Sequence, residues 1–111
     1  MDKKDLTKQY KNRIVKGGVY VIKNGVSGRC YLSYAVNLQS AVNRFNFMTA
    51  ANSCTMLPLQ ADFEKHGADS FSFEVLDEIE KSPEQTSADF DADLNELCEI
   101  YKLRFPTESF Y

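Results

Sequence analysis

Tyr20 and Tyr31, eleven residues apart, are the side chains of this sequence best placed to do chemistry together. Each lies in a short apolar run, Val19-Tyr20-Val21-Ile22 and Cys30-Tyr31-Leu32, and the stretch between them, Lys23-Asn24-Gly25-Val26-Ser27-Gly28-Arg29, is built of turn residues. That pattern predicts a β-hairpin in which the two tyrosines face one another. A phenolic hydroxyl both donates and accepts hydrogen bonds, so a facing pair puts two such groups at one place. His66, the only histidine, has the titration range of a general base. It precedes Gly67 at a predicted helix C-terminus, where the dipole and free carbonyls favour a histidine, and is read as structural. Cys30, Cys54 and Cys98 are odd in number, far apart and in no C-x-x-C pair. They read as reduced structural thiols rather than a disulfide framework or a zinc site.

The elements that must position the tyrosines follow from periodicity and caps. Residues 4–11 read as a short helix or arm ahead of the hairpin. Asn37 is a predicted N-cap, with Leu38, Val42 and Phe45 at helical spacing behind it in a helix that ends by Ala51. A loop at residues 52–55 follows, and Pro58 then opens a second helix that runs to His66 and is stopped by Gly67 in a left-handed conformation. Phe71, Phe73 and Val75 alternate with Ser72 and Glu74, the period of a half-buried strand. Residues 81–87 are polar, contain Pro83 and read as a loop. The last helix, about 88–105, gathers Phe90, Leu94, Leu97, Cys98 and Tyr101 on one face, with acids at its start and Lys102 and Arg104 at its end. The fold class is therefore α+β, a small three-stranded antiparallel or mixed sheet flanked by helices.

The chain has 111 residues, 43% of them hydrophobic, enough for one core and one domain. The expected division is an arm at 1–16, a domain at 17–105 and a tail at 106–111. The charged start, Met1-Asp2-Lys3-Lys4-Asp5, does not read as a signal peptide, and no apolar run has the length of a membrane span. The expectation is a cytoplasmic chain without a membrane partner. Net charge hides an asymmetry: residues 1–60 carry nine Lys and Arg against Asp2 and Asp5, net +7, whereas residues 61–111 carry four against fourteen acids, net −10. A basic first half can attract phosphates. The acidic balance overall points away from tight autonomous DNA binding and toward self-association or a charged protein partner.

Taken together, Gly18-Val19-Tyr20, Tyr31-Leu32-Ser33, Asn37-Leu38, and the helix ending at His66-Gly67 followed by Phe71-Ser72-Phe73-Glu74-Val75-Leu76 resemble the GIY-YIG endonuclease family over roughly residues 17–105. The resemblance implies a DNA phosphodiesterase whose two tyrosines orient water and hold phosphate. It further implies that a helix arginine stabilises the developing charge and that a glutamate on the last helix holds one divalent cation, Mg2+ or Mn2+, with no small-molecule cofactor. On these residues the catalytic set is Tyr20, Tyr31, Arg44 and Glu99, with Glu99 on the metal. Lys23, Arg29, Ser33 and Asn37 are the substrate-binding candidates.

The chain departs from the family at decisive places. Counting from Asn37-Leu38, the arginine position is Ala41 and a frequent histidine position is Phe45; Arg44 lies one turn on from Ala41. Ser33 replaces a glycine. One register puts Glu99 at the metal position, a register one residue earlier puts Cys98 there, and Glu96 is a further option. Phe45, Phe47 and Met48 form either a base-stacking platform or part of a core or oligomer interface. The resulting expectation is a GIY-YIG-like domain that acts on or binds DNA with cleavage weakened or lost. The alternatives are an active metal-dependent endonuclease and a non-catalytic module for a protein partner or homodimer.

Overall fold

The computed structural model describes residues 15–111. The arm expected over residues 4–11 lies outside them. The described elements run β1 (Lys16–Asn24), β2 (Cys30–Ala35), α1 (Leu38–Ala50), α2 (Leu57–His66), β3 (Phe71–Glu80) and α3 (Ser87–Lys102). Short 3-10 turns stand at Ala68–Ser70 and Thr107–Ser109. The strand order is β2-β1-β3 and both pairings are antiparallel, so the expected three-stranded α+β architecture is the observed one.

Local chemistry accounts for most of the boundaries. The hairpin closes because the Asn24 side-chain oxygen accepts from the amides of Val26 and Ser27, at 2.9 and 3.3 Å, while Gly28 takes φ 78°. Asn37 caps α1 by accepting from the Ser40 amide at 3.2 Å. Thr86 and Asp89 form a reciprocal capping box that starts α3 at Ser87. Gly67 does end α2 with a positive φ of 85°, but its ψ of 163° lies outside the left-handed helical region expected of it. That combination is open essentially to glycine alone. β3 runs past its alternating residues to Glu80, because β1 starts early enough for Lys16 to pair with Glu80.

The sheet separates two cores. Tyr20 and Ile22 join Leu38, Phe45 and Met48 of α1 and Leu59 and Phe63 of α2 on one face. Val19, Val21, Cys30 and Leu32 pack with Cys98 of α3 on the other. Between the two faces the backbone of Gly17-Gly18 is hemmed in. A Cβ on Gly18 would stand 2.0 Å from the Asp77 carbonyl oxygen and 2.9 Å from Leu38, and one on Gly17 would stand 2.8 Å from Phe90. The close approach at Gly18 adjoins a register shift between Val19 and Tyr20, where Val19 pairs with Asp77 and Tyr20 with Val75. The first glycine of the tyrosine motif is thus required by the strand and helix that crowd it.

Candidate phosphate-binding site

Tyr20 and Tyr31 share a face without standing directly opposite. Tyr20 pairs with Ser33 and Tyr31 with Ile22, so the tyrosines are diagonal neighbours one pleat apart. This refines the facing pair expected from the hairpin. The Ser33 hydroxyl takes the place across from Tyr20. Tyr20 is 8% exposed, and its ring stacks on Phe73 with centroids 4.8 Å apart and planes 16° from parallel. Phe73 also meets Phe45 at 5.6 Å. Tyr31 is half-buried against the same cluster.

Where the resemblance puts an arginine, Ala41 packs half-buried against this cluster. Where it puts a histidine, Phe45 is buried in it. Arg44 is exposed on α1, one turn beyond Ala41. Burial pushes the Tyr20 pKa above the ordinary phenol value of 10.0. The neighbouring Tyr31 pushes the same way, whereas the Ser33 hydroxyl and the Arg44 charge pull it down. Burial wins, so near neutrality Tyr20 is a neutral phenol rather than a phenolate.

The other sequence-derived candidates are dispersed. Lys23 alternates onto the opposite face, opposite Cys30, and its ammonium is 2.8 Å from Glu74 of β3. Arg29 lies in the hairpin loop with its guanidinium 5.9 Å from the Tyr111 ring centroid. Asn37 is committed to capping α1. Glu99 is carried by α3, the helix on the far face from Tyr20, and pairs with Lys102 at 3.1 Å. Cys98, the alternative register, is 2% exposed in the α3 core, where burial raises its thiol pKa. Glu96 is exposed on α3.

Among the described residues, no group of three or more His, Cys, Asp and Glu side chains converges as a metal cage would. A single exposed carboxylate already paired with an ammonium, beside a protonated buried thiol, does not fit a firmly held divalent cation. The basic first half is likewise partly spent inside the fold: besides Lys23, Lys16 pairs with Glu78 of β3 at 3.6 Å. A cavity of about 340 Å³ between the α1–α2 loop and α2 is lined by residues such as Asn52, Cys54 and Glu64 and touches neither tyrosine.

One cluster beside the tyrosines had no signal in the sequence reading. Asn24, 1% exposed, donates to Tyr111 Oη at 3.0 Å and to Asp62 Oδ2 at 3.3 Å, and Tyr111 Oη donates to Asp62 Oδ2 at 2.8 Å. Asn24 stood out only as a turn residue. Asp62 and Tyr111 belong to no pattern that would pair them. His66 lies half-buried at the end of α2, its carbonyl accepting from the Ser70 hydroxyl at 2.7 Å, the structural place expected for it.

Against known proteins, no family model matches the chain and no curated protein matches it. Among solved structures, the catalytic domain of the homing endonuclease I-TevI superposes with a TM-score of 0.59 at 21% identity, covering 86% of this chain and 95% of that one. A glutamate-to-alanine mutant of the catalytic domain of intron endonuclease I-TevI gives a TM-score of 0.57 at 22% identity, covering 81% of this chain and 84% of the other. At that level of identity the likeness speaks to backbone architecture. Sheet, helix order and near-complete coverage together show that this chain has a GIY-YIG-like fold.

Proposed function

We propose that this chain is a DNA-binding GIY-YIG-like domain in which cleavage is weakened or lost. The observation that carries the reading is the composition of the Tyr20 face. Tyr20 and Ser33, both bearing hydroxyls, pair across β1 and β2, and Arg44 is exposed one turn beyond Ala41 on the helix packed over that face, while Ala41 and Phe45 are absorbed into packing. Hydroxyl donors and a guanidinium are the groups that hold a phosphodiester oxygen. Losing a charged clamp on a developing oxyanion typically costs about 3 to 4 kcal/mol of barrier. Binding can outlast that loss because it asks only for ground-state contacts.

In this reading Arg44 supplies the charge, Tyr20 and Tyr31 donate hydrogen bonds, and Ser33 fixes the Tyr20 hydroxyl. A neutral Tyr20 on a packed ring holds the phosphate without activating a nucleophile against it. The protein-interaction alternative draws on a different surface: Ile100 and Leu103, 49% and 87% exposed, lie three residues apart at the end of the acidic α3. Titrating labelled duplex DNA with the wild-type chain and with Arg44→Ala over a range of salt tests the proposal. Affinity that falls with salt and with the loss of Arg44 supports DNA as the partner. Affinity indifferent to both would direct the search to a protein.

A further inference from the structure

The segment that follows α3 comes back to the hairpin strand that carries Tyr31. Cys30 forms a parallel bridge with Phe110, and the Tyr111 amide donates to the Cys30 carbonyl at 3.0 Å. In a parallel bridge the next residues along both strands also share a face, so Tyr31 and Tyr111 are laterally adjacent on the Tyr20 side. Both pack half-buried against the same core cluster. Phe110 goes to the other face, where its ring meets Phe105 at 6.0 Å. Residues 107–111 thus cover the outer edge of β2 at the level of Tyr31.

The attachment is polar and concentrated at one ring. Tyr111 Oη links Asp62 of α2 to Asn24, and Asn24 is the residue whose side-chain oxygen builds the hairpin turn. Arg29, from the same turn, lies over the Tyr111 ring. The backbone contribution is small beside this: the single bridge to Cys30, made through the Tyr111 amide, with a weak side-chain contact between Ser109 Oγ and Cys30 Sγ at 3.8 Å next to it. Besides that ring the segment is held by the packing of Phe110 on Phe105 and by this one bridge, fewer ties than hold the sheet, so it opens first.

We propose that Tyr111 is a positioning residue for Tyr31, the catch of a releasable latch that fixes the edge of β2 and the hairpin turn from which Tyr31 projects. The role rests on the reading that Tyr31 touches a DNA phosphate. With the latch closed, Tyr31 has Ile22 on one side and Tyr111 on the other. With it open, the β2 edge is free and Tyr31 loses its outer neighbour.

The test combines amide exchange, which makes no assumption about function, with DNA affinity. In the wild-type chain the Tyr111 amide should exchange faster than the β1 amides. In Tyr111→Phe it should speed up by about tenfold or more, the worth of the two hydrogen bonds its hydroxyl makes, with β1 unchanged. Asp62→Asn, which keeps the shape and removes the charge, should give the same local effect and guards against a folding failure of the first variant. For affinity, Tyr31→Phe and Tyr111→Phe should each weaken DNA binding, and the double variant should be no weaker than Tyr31→Phe alone. A Tyr111 amide that exchanges only with the β1 amides in every chain would overturn the latch, and strictly additive losses of affinity would overturn the positioning role. If the wild-type chain binds no DNA, the functional reading fails and with it the positioning role, while the exchange rates still decide the latch.

Discussion

Tyr20 lies flat on Phe73, ring against ring at 4.8 Å, so the tyrosine with which the site begins is also a core residue. Its ring serves the fold, and on the proposed reading its hydroxyl serves DNA binding. Removing each part should therefore have separate consequences. Phe73→Ala should lower stability by about 3 kcal/mol, the usual result of truncating a packed aromatic, whereas Tyr20→Phe should change it by less than about 1 kcal/mol. Urea denaturation of the two variants checks this. A costly Tyr20→Phe would show that the hydroxyl is structural.

Gly18 should be less replaceable than Gly67. A Cβ at Gly18 meets the backbone oxygen of Asp77, which cannot swing aside, whereas one at Gly67 meets nothing within 4 Å and is opposed only by its φ of 85°. Gly18→Ala should cost about 3 kcal/mol or more, and Gly67→Ala about 1 to 2 kcal/mol. Thermal unfolding of the pair orders the two costs.

Tyrosine hydroxyls on aspartates join the layers. Tyr34 bonds Asp91 at 3.2 Å, tying β2 to α3; Tyr101 bonds Asp77 at 3.1 Å, tying α3 to β3; and Tyr111 bonds Asp62. In all three, burial of the phenol is the leading cause of a raised pKa, and the bonded carboxylate adds to it. A phenol raised in the folded state favours folding in its neutral form. The stabilisation is complete below the unfolded value near 10 and is lost as pH rises through the higher folded values. Melting temperature should hold from neutrality to about pH 9 and then fall. Tyr101→Phe should flatten that fall, and an unchanged profile would contradict the pairing.

The elements were legible where one residue dictates a local geometry. The hairpin loop between the tyrosines, the Asn37 cap and the apolar face of α3 all survive in the fold, whereas the alternation of β3 holds at Phe71 and Phe73 and fails at Val75, which is 41% exposed beside the register shift. Gly67 was legible as a stop but not in its backbone angles, because several conformations with positive φ end a helix. The site was less legible because its geometry depends on register. A hairpin of turn residues does not say that Ser33, rather than Tyr31, stands across from Tyr20. Nor does a +7 half-chain reveal that Glu74 and Glu78 of the later β3 neutralise Lys23 and Lys16. The Tyr111–Asp62–Asn24 cluster joins residues up to 87 positions apart, which no local pattern encodes.

On the proposed reading, an arginine at Ala41 supplies the charge that the GIY-YIG resemblance expects there. Ala41 is only half-buried, so a long side chain at that position has a way to the surface. Ala41→Arg should raise magnesium- or manganese-dependent DNA cleavage by two to three decades over the wild-type chain. A variant that folds, binds DNA and still does not cleave would move the defect to Phe45 or to the metal position.

The central claim is tested most directly by incubating duplex, branched and single-stranded DNA with the wild-type chain and Tyr20→Phe, purified in parallel, in the presence of magnesium or manganese. With Ala41 and Phe45 in the site, the account predicts no cleavage or equal background from both chains, alongside DNA binding by the wild type. Robust cleavage that disappears with the Tyr20 hydroxyl would contradict it and establish a working nuclease.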